Sequence, residues 1–99
     1  MAKYPRKFKF MSDPAHGWLK VPVELLKRLN IAHKITSFSY QRFPHAYLEE
    51  DCDMPIFIDA YEKQFGHGPE CTATHTDRSS KIRNYPYFDK HTYMPTQGE

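Results

Sequence analysis

Charged and apolar side chains alternate from Arg6 to Met11, with Lys7 and Lys9 on one side and Phe8 and Phe10 on the other. This period of two predicts a half-buried strand. Ser12-Asp13-Pro14 interrupts it, and His16-Gly17-Trp18-Leu19-Lys20-Val21 resumes an extended apolar run that ends at Pro22. The period then changes. Leu25, Leu26 and Leu29 recur at helical spacing, Pro22 suits a first turn, and Glu24 early with Lys27 and Arg28 late match a helix dipole. Asn30 predicts a left-handed stop, with Ile31 folding back onto the last turn.

After a connector through Ile35, residues 38–43 and 45–49 read as two strands joined near Pro44, most simply a hairpin. Asp51 or Asp53 can cap a second helix with Pro55 in its first turn, and Ile56, Phe57, Ala60, Tyr61 and Phe65 form its apolar side until Gly66 stops it. His67-Gly68-Pro69 is a turn, Cys71 to Thr76 alternates, and Ile82 to Phe88 carries aromatic residues around Pro86, which predicts one or two late strands. The order β-β-α-β-β-α-β predicts the α+β class: one domain over residues 1–99, with two helices packed on one face of a mostly antiparallel sheet. Residues 1–5 and 95–99 are expected to be frayed.

Composition adds size and setting. A chain of 99 residues holds one core, and seven Phe, seven Tyr and one Trp make that core aromatic. A net charge of +2 is too near neutral to argue for nucleic acid by itself, so the distribution of charge matters more. No apolar run approaches the roughly 20 residues of a bilayer span, and the basic, aromatic N-terminus does not read as an export signal. Cys52 and Cys71 are too few for a stapled secreted scaffold, so the expectation is reduced thiols in the cytoplasm and no membrane partner.

Three clusters carry candidate chemistry. Arg78, Ser79, Ser80, Lys81, Arg83 and Tyr85 place guanidinium, ammonium and hydroxyl groups beside an aromatic ring, a set that can hold phosphate and stack on a base. Lys3, Arg6, Lys7 and Lys9 with Tyr4, Phe8 and Phe10 extend this basic surface if the first and last strands are neighbours. Glu49, Glu50, Asp51 and Asp53 crowd four carboxylates around Cys52 at a strand-to-helix junction, where they serve as helix caps or as a surface for a basic partner. They lack the glycine and ligand spacing of a calcium loop. Cys52, His67, Cys71 and His75 are the donors nominated for zinc, but no paired Cys-x-x-Cys knuckle accompanies them. His16 before Gly17-Trp18 suits a turn. There is no nucleophile elbow or phosphate-cradling glycine loop, so no catalytic residue, metal or cofactor is assigned.

The blocks Asp13-Pro14-Ala15-His16-Gly17-Trp18-Leu19-Lys20-Val21-Pro22, Ala46-Tyr47-Leu48-Glu49-Glu50-Asp51-Cys52-Asp53 and Ser79-Ser80-Lys81-Ile82-Arg83 together cover about a quarter of the chain. In these blocks the chain resembles a group of small uncharacterised proteins of bacteriophages and bacteria. The resemblance implies a prokaryotic or viral cytoplasmic setting and supplies no activity and no site residues. The expectation is therefore a small non-enzymatic binding protein, a phage-type accessory factor for a phosphate-bearing ligand, either a nucleotide or a nucleic acid. The alternatives are an inhibitor or modulator of a host protein acting through the acidic junction, and a small metal-dependent hydrolase. Exposed aromatics and an open sheet edge also make a homodimer an expectation.

Overall fold

The computed structural model describes residues 3–92 of the chain. Alternation becomes strand where expected: β1 spans Lys7–Ser12, β2 Gly17–Pro22, β3 Tyr40–Arg42, β4 His45–Glu49 and β5 Glu70–His75. They form one sheet in the order β3-β4-β2-β1-β5. The β1–β2, β2–β4 and β3–β4 pairs are antiparallel, whereas β5 returns parallel to β1. Two α-helices accompany the sheet, α1 at Val23–Arg28 and α2 at Met54–Phe65, and together these elements make the fold α+β. No described helix is long and apolar enough to cross a membrane.

The helix ends follow from local chemistry. Asn30 takes a left-handed conformation (φ 58), its N–H donates to the Lys27 carbonyl, and Ile31 N–H reaches back to Leu26 at 2.9 Å, closing α1 with a Schellman turn. Gly66 (φ 79) ends α2 in the same left-handed region. Pro22 sits one position outside α1 and still belongs to β2, and the freed Val23 N–H donates to the Pro44 carbonyl of the β3–β4 turn. Asp53 holds the residue position before α2, but its side chain makes no capping bond there. Its backbone is already helical in sense (φ −113, ψ −29), whereas a capping side chain is normally aimed from an extended backbone.

One face of the sheet presents Phe8, Leu19, Val21, Ala46 and Leu48 to Leu25 and Leu26 of α1 and Phe57 and Tyr61 of α2, all buried. Residues 3–5, expected to be frayed, pack on this layer: Tyr4 stacks on Phe65 at 3.7 Å, and Tyr61 Oη donates to the Pro5 carbonyl. The expectation for residues 95–99 falls outside the described residues.

The opposite face carries a second, smaller apolar cluster of Trp18, Tyr47 and Ile82 with Met11, Tyr40 and Tyr85 against it. Its cover is the segment 80–87, which differs from the strand expected over Ile82–Phe88, and Phe88 at the end of the segment is buried in the helix-side core. Lys81–Asn84 is a 3-10 turn capped by the Ser80 hydroxyl, and the only pairing recorded for this stretch among the described residues is a single bridge between Tyr40 and Tyr87. Pro86 offers no N–H to a ladder, and the preceding turn carries Ile82 down onto the sheet, so an aromatic strand-like composition becomes a strap.

Gly17 is required by contact rather than by conformation. A Cβ built there would lie 2.2 Å from the Phe10 ring. Gly17→Ala should therefore destabilise the domain by about 1–3 kcal/mol in denaturant titrations, and combining it with Phe10→Leu should return part of that loss. Full stability of the single variant would refute the packing assignment.

Candidate functional site

The pairing register sets side chains on the strap-covered face in rows. Lys9, Lys20, Tyr47 and Tyr40 stand opposite one another across β1, β2, β4 and β3, and Met11, Trp18 and Glu49 form the next row. The strap crosses these rows and is held at both ends. At one end the buried Asp13 carboxylate, in the β1–β2 turn, accepts Arg83 Nε at 2.6 Å and another guanidinium nitrogen at 2.9 Å, together with the N–H groups of Ser80, Ala15 and His16. At the other end Gln41 N–H donates to the Pro86 carbonyl, Phe88 N–H to Ser39, and Asp89 N–H to the Gln41 side chain.

The strap leaves a cavity on each side. One, of about 340 Å³, is lined by Lys9, Lys20, Arg42 and Lys81, with His45, Phe43, Tyr47 and Tyr85 between them and no carboxylate among the described residues. None of these four cations forms an ion pair with a described residue. Lys9 and Lys20 face each other directly across β1 and β2, an arrangement that costs stability in an ordinary sheet. Arg42 lies over the Tyr85 ring at 5.2 Å and donates to its hydroxyl, while Phe43, at the tip of the β3–β4 turn, is 80% exposed. Burial, then the Lys20 ammonium, pull the His45 imidazole below its ordinary value. Burial, then the nearby Tyr85, push the Tyr47 phenol up.

The second cavity, about 590 Å³, lies among Trp18, Tyr40, Phe38, Tyr87, Glu49 and Asp51. The acidic junction is thus divided. Glu49 is buried, and both its oxygens accept from Asp51 N–H. Asp51 and Glu50 are exposed, and Glu50 lines neither cavity. Asp53 is wholly buried and accepts the Thr36 N–H and hydroxyl and the Ser39 hydroxyl, fixing the 36–39 loop against α2.

The phosphate set expected from sequence is regrouped in the same way. Lys81 and Tyr85 line the basic cavity. Arg83 belongs to Asp13 and stacks on Trp18 at 5.3 Å, and Ser80 spends its hydroxyl on Ile82 N–H. Arg78 and Ser79 are exposed and line neither cavity. Of the N-terminal extension only Lys9 arrives, because β1 has β2 and β5 as neighbours and Phe8 turns into the helix-side core. Lys20, Arg42 and His45 are additions that sequence reasoning missed. The alternation of β2 assigns Lys20 to the Trp18 face, but its convergence with Lys81 depends on where the strap crosses.

The zinc nominees are spent or separated. Among the described residues no group of three or more His, Cys, Asp or Glu side chains is placed to hold a metal. His67 bonds to Tyr4, His75 to Ser12 and Asp77, and both cysteines are free thiols. Desolvation, then the carboxylates of Glu49, Asp53 and Asp51, push the Cys52 thiol up, the reverse of what a nucleophile needs. Comparison with known protein families, with curated proteins and with solved structures returns no match for the chain.

The Arg83 guanidinium, aided by the three N–H donors, holds the Asp13 carboxyl well below the usual carboxylate range against a desolvation that opposes it. Its contribution to stability is complete above the ordinary value of 3.8 and is lost progressively as pH falls below that value toward the folded-state one. Asp13→Asn should lower the melting temperature at neutral pH by about 5 °C or more and flatten the acid side of the stability profile. A variant that melts like the parent with an unchanged acid limb would show that the strap does not depend on this contact.

Proposed function

We propose that the protein is a non-enzymatic binder of a phosphate-bearing ligand, a nucleotide or single-stranded nucleic acid, received in the basic cavity. The observation that carries this reading is the convergence of Lys9, Lys20, Arg42 and Lys81 in a depression whose lining holds no acidic residue among the described residues. Phosphate would relieve the Lys9–Lys20 opposition and accept charge-assisted bonds from the ammonium groups and the Arg42 fork. Phe43 supplies an exposed ring at the edge, and Tyr85 a second, half-buried one held under Arg42. Such rings stack on any base, so the expected recognition is tolerant of sequence. The phage-type cytoplasmic setting belongs to this proposal through the three resembling blocks alone.

Fluorescence anisotropy with a labelled oligothymidylate tests it. Lys20→Ala and Lys81→Ala should each weaken binding roughly threefold or more and reduce the slope of log affinity against log salt by about 0.7. Phe43→Ala should weaken binding at least about fivefold through lost stacking. The His45 imidazole titrates below its usual 6.5 in the free protein, and bound phosphate should raise it, so binding should tighten as pH falls through that range. Unchanged affinity and salt slope in both lysine variants would remove this reading. An equal loss in Arg78→Ala alone would move the ligand to the 77–80 loop.

A further inference from the structure

We infer that the cavity on the other side of the strap is a binding site for an organic cation, an ammonium or guanidinium group carried on an apolar stem. The inference stands apart from the phosphate reading, because none of Lys9, Lys20, Arg42 and Lys81 lines this cavity.

The first ground is Glu49. Its side chain lies on the cavity wall, the residue is only 7% exposed, and its two oxygens share a single recorded donor, the Asp51 N–H at 2.9 and 3.0 Å. A carboxylate removed from water is costly unless a cation or several donors compensate it. No ion pair with a described residue does so. Arg83 lines the same cavity, but its charge is matched by Asp13 at 2.6 Å, so the unbalanced charge of the lining is that of Glu49 and Asp51. An anion is therefore disfavoured there, and a cation is drawn in.

The second ground is the wall itself. Tyr40 and Tyr87 lie nearly parallel with ring centroids 5.4 Å apart, and Trp18 meets Tyr40 edge on at 6.1 Å. Phe38 and Tyr87 are each 67% exposed at the rim. Two large rings left in water around a buried carboxylate are poorly explained as core. Their faces attract a cation and their edges pack a methylene stem, which is the chemistry of an aromatic cage. The same wall already accepts a guanidinium, since Arg83 stacks on Trp18 at 5.3 Å. The volume of about 590 Å³ suits a small molecule or one long side chain.

The chain has one tryptophan, and it lines this cavity, so its emission reports occupancy directly. The probes are agmatine, tetramethylammonium and an acetylated Gly-Arg-Gly amide, with inorganic phosphate as the anionic control. A saturable change in Trp18 emission is expected with the cations and none of comparable strength with phosphate. Glu49→Gln keeps an oxygen for the Asp51 N–H and removes the charge, and it should weaken agmatine binding at least about tenfold. Tyr87→Ala, at an exposed position and with its fold checked by thermal melting, should weaken it about threefold or more. Lys20→Ala should leave it unchanged, which separates this site from the phosphate cavity. Tighter binding of the peptide than of agmatine would assign the cation to a partner protein's side chain, and the reverse would assign it to a free amine. Non-saturating titrations, or equal affinity in Glu49→Gln and the parent, would overturn the inference.

Discussion

A single buried carboxylate organises the side of the sheet on which both cavities lie. Asp13 sits in the turn between β1 and β2, and its two oxygens gather donors from the turn itself and from Ser80 and Arg83, nearly seventy positions later in the chain. Without that contact, the segment from Ser80 to Phe88 would be held by Ile82 against Trp18 and Tyr47, by Phe88 in the helix-side core, and by a few backbone bonds near Ser39 and Gln41. The helix-side core takes in Phe88 from the end of the strap, but most of its large buried side chains come from the sheet and the two helices. The fold therefore pairs a large helix-side core with a smaller layer whose cover is fixed in part by one charge-assisted network.

The strap divides one sheet face into two regions of opposite charge. On one side are ammonium and guanidinium groups with the exposed Phe43 ring and the half-buried Tyr85 ring beside them, and on the other is a buried carboxylate in an aromatic wall. Charges of one sign placed together, with no partner of the other sign, lower the stability of a small domain. Their presence in a chain that otherwise pairs its buried acids carefully, as Asp13 and Asp53 show, is the physical basis for reading them as sites. The acidic junction illustrates the contrast. Asp53 is consumed by the 36–39 loop and carries structure, whereas Glu49 faces a cavity with a single donor among the described residues.

What could be read from the sequence was what local chemistry decides. The apolar spacing and the stops at Asn30 and Gly66 identify both helices, alternation identifies β1 with its two faces, and the apolar runs identify β2 and β4 as strands. Ile82 to Phe88 resembled a strand because rings alternate there, yet the Ser80 cap and the pull of Asp13 on Arg83 make it a 3-10 turn and a strap. The same long-range contact explains why the residues of the expected phosphate set do not converge in one cavity. Arg83 was read as a free cation, and its neutralising partner lay in a distant turn. Lys20 and Arg42 were overlooked because nothing near them in sequence marks them, and only the register and the strap bring them beside Lys9 and Lys81.

The account centres on the claim that the strap, laid over the sheet by Asp13, builds a basic cavity that receives phosphate. Backbone amide chemical-shift mapping during titration with oligothymidylate addresses that claim most directly. The account predicts a contiguous set of perturbed amides at Lys9, Lys20, Arg42, Tyr47, Lys81 and Tyr85, with β5 and α2 unaffected. Perturbations confined to the exposed β5 edge or to the 77–80 loop, or no saturable shifts at low salt, would contradict it.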